Sequence, residues 1–286
     1  MTELLALKAQ RLSEAHPPPL ETTPPLVAHV IYALGTGGLE NGLVNIINRA
    51  CPQRYRHVII CLTGTEGFER RITAPNIEVI SLHKRPGHDL ALYWRLWRTF
   101  IRLRPAIVHT RNLAALEMQV IAALIPGVKR VHGEHGRDIQ DIDGSNKKYN
   151  VLRKALRPLV HRYIAVSQDL AQWLAQVVEV PTAKIKQIYN GVDQQVFTPG
   201  SVSVSAPVGF KADNMQIIGT VGRLAEVKDQ RTLIEAFSLL VNDSSIQKPL
   251  RLIIVGDGPM YQTLYDRITE LGLCEYIWMP GDRKDI

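Results

Sequence analysis

Two cations five residues apart, Arg223 and Lys228, follow a short apolar run and precede a helical pattern. A polar residue after a parallel strand lies at the sheet edge where ligands bind, beside the start of the next helix. Such a pair can hold a diphosphate without a metal ion and stabilise the charge that develops on a leaving group. The alternative is a solvated loop. We favour binding, because Arg223 would otherwise be a charge stranded beside a buried strand.

A histidine, His135, closes the strand-like run 129–135 and precedes Gly136. We expect its imidazole to point beyond the sheet, where it can form hydrogen bonds or transfer protons near neutral pH. His132 and His109 compete for this role. For each of the three histidines, the alternative is a core or loop position without a chemical role.

Glycines stand at two strand-to-helix turns. In the first turn, Gly37 and Gly38 precede a helical pattern, which lets the N–H groups of the helix start approach a phosphate. A dinucleotide-binding fingerprint needs Gly where Glu40 stands and an acidic residue at the end of the second strand, and both are missing. A plain tight turn stays the alternative. In the second turn, Gly256 and Gly258 are expected to be scaffolding.

Neither a metal site nor a disulfide framework is expected. The three cysteines are odd in number and lack C-x-x-C spacing, which favours a reducing cytoplasm. Asp141 and Asp143 form one Asp-x-Asp pair, but they fall in a polar loop. No apolar run reaches the roughly 18 residues that a membrane span needs. Residues 1–25 are expected to be a flexible lead-in rather than a secretory signal.

The formal net charge of +7 hints at an anionic partner, either phosphate or an anionic membrane surface. A solvated basic surface is the alternative and, from the charge alone, the safer interpretation. Nucleic acid is not expected, because the basic residues are scattered and no nucleic-acid-binding motif is present. The helical pattern at 89–104 carries Arg95, Arg98 and Arg102 beside Trp94 and further aromatic residues. Such a helix can rest on an anionic membrane. Packing of its apolar side on the sheet is the alternative and the more common arrangement.

The order of elements in the first part of the chain predicts a doubly wound α/β domain. Seven strand-like runs alternate with helical patterns, which indicates a parallel sheet covered on both faces. The runs are 27–34, 57–64, 77–83, 106–111, 129–135, 162–167 and 184–189. Leu39, Leu43, Ile46 and Ile47 predict the buried stripe of the first helix.

A stretch containing Pro, Gly and Ser, at 197–214, is expected to be an interdomain linker. Beyond it, the strand-like runs are 216–224, 250–256 and 275–280, with helical patterns between them. Leu233, Phe237, Leu240 and Val241 predict the buried stripe of the first of these helices. Three parallel strands make about half of a doubly wound sheet, so the second domain is expected to be incomplete.

Taken together, these residues resemble glycosyltransferase family 4, whose members are retaining enzymes of the GT-B fold. The resemblance covers roughly 27–286 in consistent order. The motifs that carry it are GTGGLE (35–40), HGEHGRD (132–138), YIAVS (163–167), YNGVD (189–193), VGRLAEVKD (221–229) and VGDGP (255–259). The stretch from GEHGRD to YIAVS is most similar to bacterial sugar transferases of exopolysaccharide clusters.

The resemblance implies an α/β protein with two doubly wound Rossmann-like domains, 26–196 and 215–286, and a cleft between them. It implies transfer of a sugar from a nucleoside-diphosphate sugar to an acceptor hydroxyl with retention, through an oxocarbenium-like transition state. No metal and no cofactor would be needed. The acceptor would be a glycan or a lipid-linked molecule, used in polysaccharide synthesis at the inner face of the cell membrane.

Residue by residue, the resemblance implies that Gly37 and Gly38 lie against the donor and that His135 is the catalytic histidine, in contact with the transferred sugar. Arg223 and Lys228 match the pair that grips the donor diphosphate. The further candidates for the cleft are Glu40, His109, Asn190, Gly256 and Gly258.

The sequence departs from the family pattern at its end. The two family glutamates that hold the donor sugar and ribose, and the closing helix, would lie beyond Ile286. We therefore expect a truncated form with little turnover of donor. A nucleotide-sugar-binding protein without catalysis stays open as an alternative. An NAD-dependent oxidoreductase and a sugar epimerase of the same fold also stay open, and Glu40 counts against the oxidoreductase.

Overall fold

The structure, a computed structural model, describes residues 23–136, 141, 144–194, 197, 207, 209–210 and 215–283. The chain divides into two compact units, Met1–Val192 and Asp193–Ile286. Nearly all of the lead-in predicted at 1–25 and most of the linker predicted at 197–214 lie outside the described residues. Among the described residues, no helix combines the length and the hydropathy that crossing a bilayer requires.

The first unit is built on a seven-stranded sheet in which every neighbouring pair is parallel. Its strands are β1 (Leu26–Ile31), β2 (Arg56–Cys61), β3 (Glu78–Ser81), β4 (Ile107–Arg111), β5 (Lys129–Glu134), β6 (Arg162–Ala165) and β7 (Ile185–Gln187). They are arranged in the order β3-β2-β1-β4-β5-β6-β7. All seven predicted strands are confirmed. The strand order switches between β1 and β4, because β2 and β3 lie on one side of β1 and β4 to β7 lie on the other.

Helices connect these strands. They are α1 (Gly38–Arg49), α2 (Leu90–Leu103), α3 (Leu113–Leu116), α4 (Met118–Ala123), α5 (Lys147–Leu156) and α6 (Gln168–Gln176). Residues 113–123 form two short helices, and α5 was not predicted. Asn146 is the N-cap of α5, and its side chain accepts hydrogen bonds from the N–H groups of Lys148 and Tyr149.

Apolar cores lie on both faces of the first sheet, because successive strand side chains point to opposite sides. On one side, here called the α2 face, Ala28 and Val30 of β1 belong to a core with Leu96 and Phe100 of α2. On the other side, the α1 face, Ile31 belongs to a core with helix α1. The sheet is therefore covered on both faces, as a doubly wound fold requires.

The buried stripe of α1 differs from the prediction at one position. Leu43, Val44 and Ile47 are buried, whereas Ile46 is 55% exposed. Residues 43, 44 and 47 follow the helical spacing that places side chains on one face, and position 46 falls outside it.

Polar side chains in the same sheet also divide between the two faces. His132 and Glu134 are two residues apart on β5 and lie on the α2 face with Thr110. The Thr110 hydroxyl is 2.8 Å from His132 Nδ1, and His132 Nε2 is 3.4 Å from Glu134 Oε1. All three side chains are buried, so this network must satisfy itself within the protein.

A buried ion pair joins β5 to helix α5. Arg153 Nε donates to Glu134 Oε1 at 3.0 Å, and both side chains are almost fully buried. Burial raises the pKa of Glu134, but hydrogen bonds and charge from His132 and Arg153 outweigh that effect and lower it overall. Arg153 also stacks over Trp173 and lies 4.0 Å from Asp141. Asp141, predicted in a polar loop, is therefore buried beside a cation.

The second unit contains a parallel three-stranded sheet among its described residues, in the order β10-β9-β8. Its strands are β8 (Gln216–Val221), β9 (Leu250–Val255) and β10 (Ile277–Gly281), and its helices are α7 (Gln230–Val241) and α8 (Tyr261–Glu270). The three predicted strands and two predicted helices are confirmed. In α7, Ile234 and Phe237 are buried and Leu240 is 38% exposed, so the predicted stripe was wrong at Leu240.

Replacing Arg153 by Met should destabilise the first unit strongly, because Glu134 would keep its burial and lose its cation. Breaking one side of a buried pair costs about 3–5 kcal/mol. The adjacent Lys154 pairs with Glu179 at the surface, where loss of a pair costs about 0–1 kcal/mol. Urea unfolding of Arg153→Met and of the matched control Lys154→Met measures the difference. Equal midpoints for the two variants would contradict the structural role of the buried pair.

Candidate functional site

The candidate site of the first unit lies at the carboxyl edge of its sheet, where the loops after β1 and β2 run side by side. Leu34 N donates to Gly64 O at 3.1 Å, and Glu66 N donates to Leu34 O at 3.1 Å. The Glu66 carboxylate occupies the space where a β-carbon on Gly35 would stand. The first glycine of the turn is thus packed against a neighbouring loop.

The next two glycines of this turn start helix α1. Gly37 is the N-cap and Gly38 is the first helical residue. The carboxylate of Glu40 folds back to the position that a β-carbon on Gly37 would take. Gly38 is exposed, and no atom lies within 4 Å of the position of a β-carbon there. The helix start is therefore open on the side of Gly38, whereas the Glu40 carboxylate lies over Gly37.

A buried guanidinium, Arg111, ends strand β4 on the α1 face. Its Nη1 lies 3.0 Å from His29 Nδ1, and His29 Nε2 lies 3.0 Å from His57 Nδ1. A guanidinium can only donate, so His29 accepts at Nδ1 and donates from Nε2 to His57. The hydrogen bonds therefore run in one direction, from Arg111 through His29 to His57.

Two more histidines of this face meet over Gly133. In the β4–β5 register, Gly133 stands opposite Arg111. A β-carbon on Gly133 would lie 3.0 Å from His109 Nε2 and 2.9 Å from His135 Nε2. Both Nε2 atoms are buried and form no hydrogen bond with the described part of the chain. Glycine at 133 is required because the two rings fill the space of a side chain.

Asn112 holds the main chain at His135. Its side-chain oxygen accepts from His135 N at 2.8 Å, and its own N–H donates to Gly133 O at 2.8 Å. Asn112 has a φ of 57°, a positive value that Asn tolerates better than most residues. These two bonds tie the ends of β4 and β5 together and fix the start of the loop that His135 begins.

The charge of Arg111 acts on the whole histidine group. Burial lowers the pKa of Arg111 to about 10 although Glu40 opposes this effect, so the guanidinium is charged at pH 7. Burial lowers the pKa of His135 to about 4, and Arg111 adds to that effect. Burial followed by Arg111 also lowers the pKa of His109 and of His29 well below the usual value. These imidazoles are therefore neutral hydrogen-bonding groups at pH 7.

In the second unit, Arg223 and Lys228 lie on the loop between β8 and α7. Both are exposed, and neither side chain forms a hydrogen bond or an ion pair with another described residue. The N-cap of α7, Asp229, follows directly and accepts from Thr232 N. Arg223 does not lie beside a buried strand, because β8 is the outermost strand of the sheet in the described residues and most of its residues are exposed. The expectation of a buried strand here was wrong.

The second glycine turn supports the loop that carries Arg223. Gly256 has a φ of 138°, and a β-carbon there would collide with the carbonyl of Gly222. A β-carbon on Gly258 would collide in the same way with the carbonyl of Leu224. Leu224 N also donates to Asp257 O at 2.9 Å. These close backbone contacts account for both glycines without a ligand.

The remaining sequence candidates are dispersed. His132 lies on the opposite face of the sheet from His135, in the network with Glu134. Asn190 is exposed beyond β7. Arg137 and Asp138 of the HGEHGRD motif lie outside the described residues. No group of three or more His, Cys, Asp or Glu side chains in the described part of the chain is placed to hold a metal ion.

Sequence reasoning did not single out Arg111 or Asn112. The signal was present in AIVHTRN (106–112), where an arginine and an asparagine stand at the end of a predicted strand. A charged residue at that place is expensive to bury unless it has partners, which points to a role.

Comparison with protein families matches two descriptions. Residues 36–196 match the family described as Glycosyltransferase Family 4, and residues 205–286 match Glycosyl transferases group 1. The first match alone covers more than half of the chain.

Individual proteins show lower similarity. The N-acetyl-alpha-D-glucosaminyl L-malate synthase of Bacillus anthracis is 21% identical over 254 residues, which are 87% of this chain and 60% of that protein. The D-inositol 3-phosphate glycosyltransferase of Mycobacteroides abscessus is 30% identical over 132 residues, 43% of this chain and 28% of that protein. The chain thus spans well under two thirds of the length of these relatives.

Solved structures share the fold. The crystal structure of Anabaena HepE in complex with UDP-glucose aligns with a TM-score of 0.69 at 21% identity, over 91% of this chain and 70% of that chain. At this identity the likeness establishes the fold alone, which is the GT-B type expected from the sequence, with a partial second sheet of three strands among the described residues.

Removal of the Arg111 charge should raise the pKa of His135. In Arg111→Met, burial still disfavours the imidazolium, but the neighbouring cation is gone, so we expect a rise of about one unit. In the conservative variant Arg111→Lys, the pKa of His135 should rise less, because the positive charge is kept. Side-chain NMR titration of ¹⁵N-histidine-labelled protein measures this. His109 lies beside His135, and His132 and Glu134 act on its pKa electrostatically from the opposite face of the sheet.

The wild-type protein provides the reference for this test. A pKa near 4 in the folded state, below the unfolded value of 6.5, means that the unfolded chain takes up the proton more readily. Stability should therefore fall as the pH falls from 6.5 toward 4. Titration of His135 near 6.5 in the wild type, or at the same pH in wild type and Arg111→Met, would contradict the effect of Arg111.

Proposed function

Because the chain belongs to glycosyltransferase family 4, we propose that it binds a nucleoside-diphosphate sugar and transfers the sugar to an acceptor hydroxyl with retention of configuration. The observation that carries this proposal is the pair of exposed cations after β8. Arg223 and Lys228 precede the start of α7 and have no partner among the described residues. Two such cations beside a helix N-terminus suit a diphosphate.

In this proposal the cations stabilise the leaving group. When the bond from the anomeric carbon to the diphosphate breaks, negative charge develops on the departing oxygen, and fixed cations lower the energy of that state. No metal ion is needed for this step. Gly256 and Gly258 contribute indirectly, because their close packing holds the loop that carries Arg223.

The first unit supplies the other residues of the proposal. Gly37 and Gly38 at the start of α1 are proposed to lie against the donor, which would approach from the side left open at Gly38, since Glu40 folds over Gly37. His135 is the residue proposed to contact the transferred sugar, with His109 beside it. Their neutral imidazoles can hydrogen-bond to hydroxyl groups. Asn190 stays a proposed site residue on sequence grounds.

The donor proposed for the first test is a uridine diphosphate sugar. Its support is the similarity of fold to Anabaena HepE, which was crystallised with UDP, with UDP and glucose, and with UDP-glucose. The acceptor proposed is a glycan or a lipid-linked molecule, and the process is polysaccharide synthesis on the cytoplasmic side of the cell membrane.

A second candidate function is donor binding without transfer. Its support is the same pair of exposed cations, Arg223 and Lys228, which suits binding of a diphosphate whether or not transfer follows. The two candidates share the diphosphate site and differ in turnover, so one set of variants tests both.

Arg223→Ala and Lys228→Ala should each weaken binding of UDP and UDP-glucose about 10- to 100-fold, because each removes one charge-assisted interaction with the diphosphate. Isothermal titration calorimetry measures the affinity. The control is Arg231→Ala, which removes an exposed arginine from the first turn of the same helix. His135→Ala should abolish transfer while leaving affinity for UDP within a few-fold of wild type.

Transfer is followed by NMR of the anomeric proton of the product, which reports retention directly. Binding of UDP-glucose without product at any acceptor concentration would favour the second candidate. Equal affinity of wild type, Arg223→Ala and Lys228→Ala for UDP would contradict the diphosphate site.

A further inference from the structure

Helix α2 has two apolar faces, and only one of them is buried. Leu92, Leu96 and Phe100 pack into the core against the sheet. A second stripe follows the spacing i, i+4, i+11 on the outer surface, where Leu90 is 80%, Trp94 58% and Ile101 46% exposed. Packing on the sheet therefore explains one side of this helix and leaves the other unexplained.

Two tryptophans give the outer stripe a flat and rigid centre. The rings of Trp94 and Trp97 stack with centroids 5.0 Å apart and an interplanar angle of 21°. Trp97 also packs against the apolar core from its edge. The stripe, here called the α2 ridge, consists of Leu90, Trp94, Trp97 and Ile101. A ridge of this kind, one helix wide, exposes large apolar groups that a solvated surface rarely carries together.

A basic groove runs along one side of the ridge. It has a volume of about 590 Å³ and lies between α2 and the chain that follows β3. Its lining includes the basic side chains of Arg85, Arg98 and Arg102, together with His83 and Trp94. Trp94 belongs to both features, so the apolar ridge and the cationic groove are continuous.

The cations of this groove are only partly neutralised. Arg95 donates to Asp89 at 2.6 Å, and Arg102 donates to Glu78 at 3.1 Å. The side chains of Arg85 and Arg98 have no partner among the described residues. Residues 83–104 contain six Lys and Arg residues and one acidic residue, so much of the net charge of +7 is concentrated here.

We propose that the α2 ridge and the basic groove dock the protein on an anionic phospholipid bilayer. The ridge enters the boundary between headgroups and acyl chains, and Arg85 and Arg98 contact lipid phosphates from the groove. Tryptophan and arginine are suited to that boundary, because each pairs an apolar body with a polar group that stays at the headgroup level. Charge complementarity favours anionic lipid over an apolar protein partner, since the unpaired cations flank the ridge.

This surface has a defined relation to the candidate site of the same unit. The groove begins at Ser81, the last residue of β3. His135 and Gly37 follow β5 and β1 at the same carboxyl edge of the sheet. An acceptor held in a membrane would therefore approach the edge of the sheet that carries the proposed site, although docking itself does not rest on the proposed function.

Vesicle sedimentation of the 286-residue chain tests the proposal. The wild type should pellet with phosphatidylcholine vesicles that contain phosphatidylglycerol and stay in solution with phosphatidylcholine alone. Each arginine near an anionic surface contributes about fivefold to partitioning, so Arg85→Gln/Arg98→Gln should bind about 30-fold more weakly. Trp94→Ser should also lose pelleting, because it removes the centre of the ridge.

Matched controls separate this surface from general charge and hydrophobicity. Arg54→Gln/Lys129→Gln removes two exposed cations at the amino ends of β2 and β5, and Ile46→Ser removes an exposed apolar residue of α1. Both controls should pellet like the wild type. Failure of the wild type to pellet with anionic vesicles, or equal loss in the controls, would overturn the proposal. Pelleting with vesicles requires neither donor binding nor sugar transfer, so this test is independent of the proposed function.

Discussion

Burial at the carboxyl edge of the first sheet, together with the charge of Arg111 buried there, determines the state of the surrounding histidines. A guanidinium in that place needs acceptors, and His29 supplies one only when its Nδ1 is unprotonated. Protonation of His109 or His135 would place a second positive charge beside the first. Burial and this cation therefore keep a group of imidazoles neutral, and Glu40 offsets part of the cost of burying Arg111.

Much of the fold could be predicted from the sequence, because apolar periodicity follows burial. All seven strands of the first sheet and the three described strands of the second were predicted, each within a few residues of its bounds. Helix α5 was not predicted, because the side chains it buries are Asn150 and Arg153. A helix whose buried face is polar shows no periodic pattern of apolar residues in its sequence. The packing of α5 depends on the ion pair between Arg153 and Glu134, and Glu134 belongs to strand β5.

The candidate site was predictable only in part. The position of His135 after a strand follows from topology alone, since parallel strands end at one edge. Its neighbours depend on which face each strand residue takes and on what stands opposite, as for Gly133 and Arg111. Arg223 was expected beside a buried strand, but β8 is the outermost strand of the described sheet. Its exposure there follows from the order of the strands, which the sequence pattern does not give.

The edge position of β8 also affects how the protein behaves in concentrated solution. Among the described residues, no strand pairs with its outer side, so that its backbone N–H and C=O groups there face water. Ile217 and Val221 of the same strand are 48% and 63% exposed. An unpaired, apolar strand is a template for addition of another β-strand. Strand β8 accordingly offers a starting point for self-association of this chain by intermolecular sheet extension.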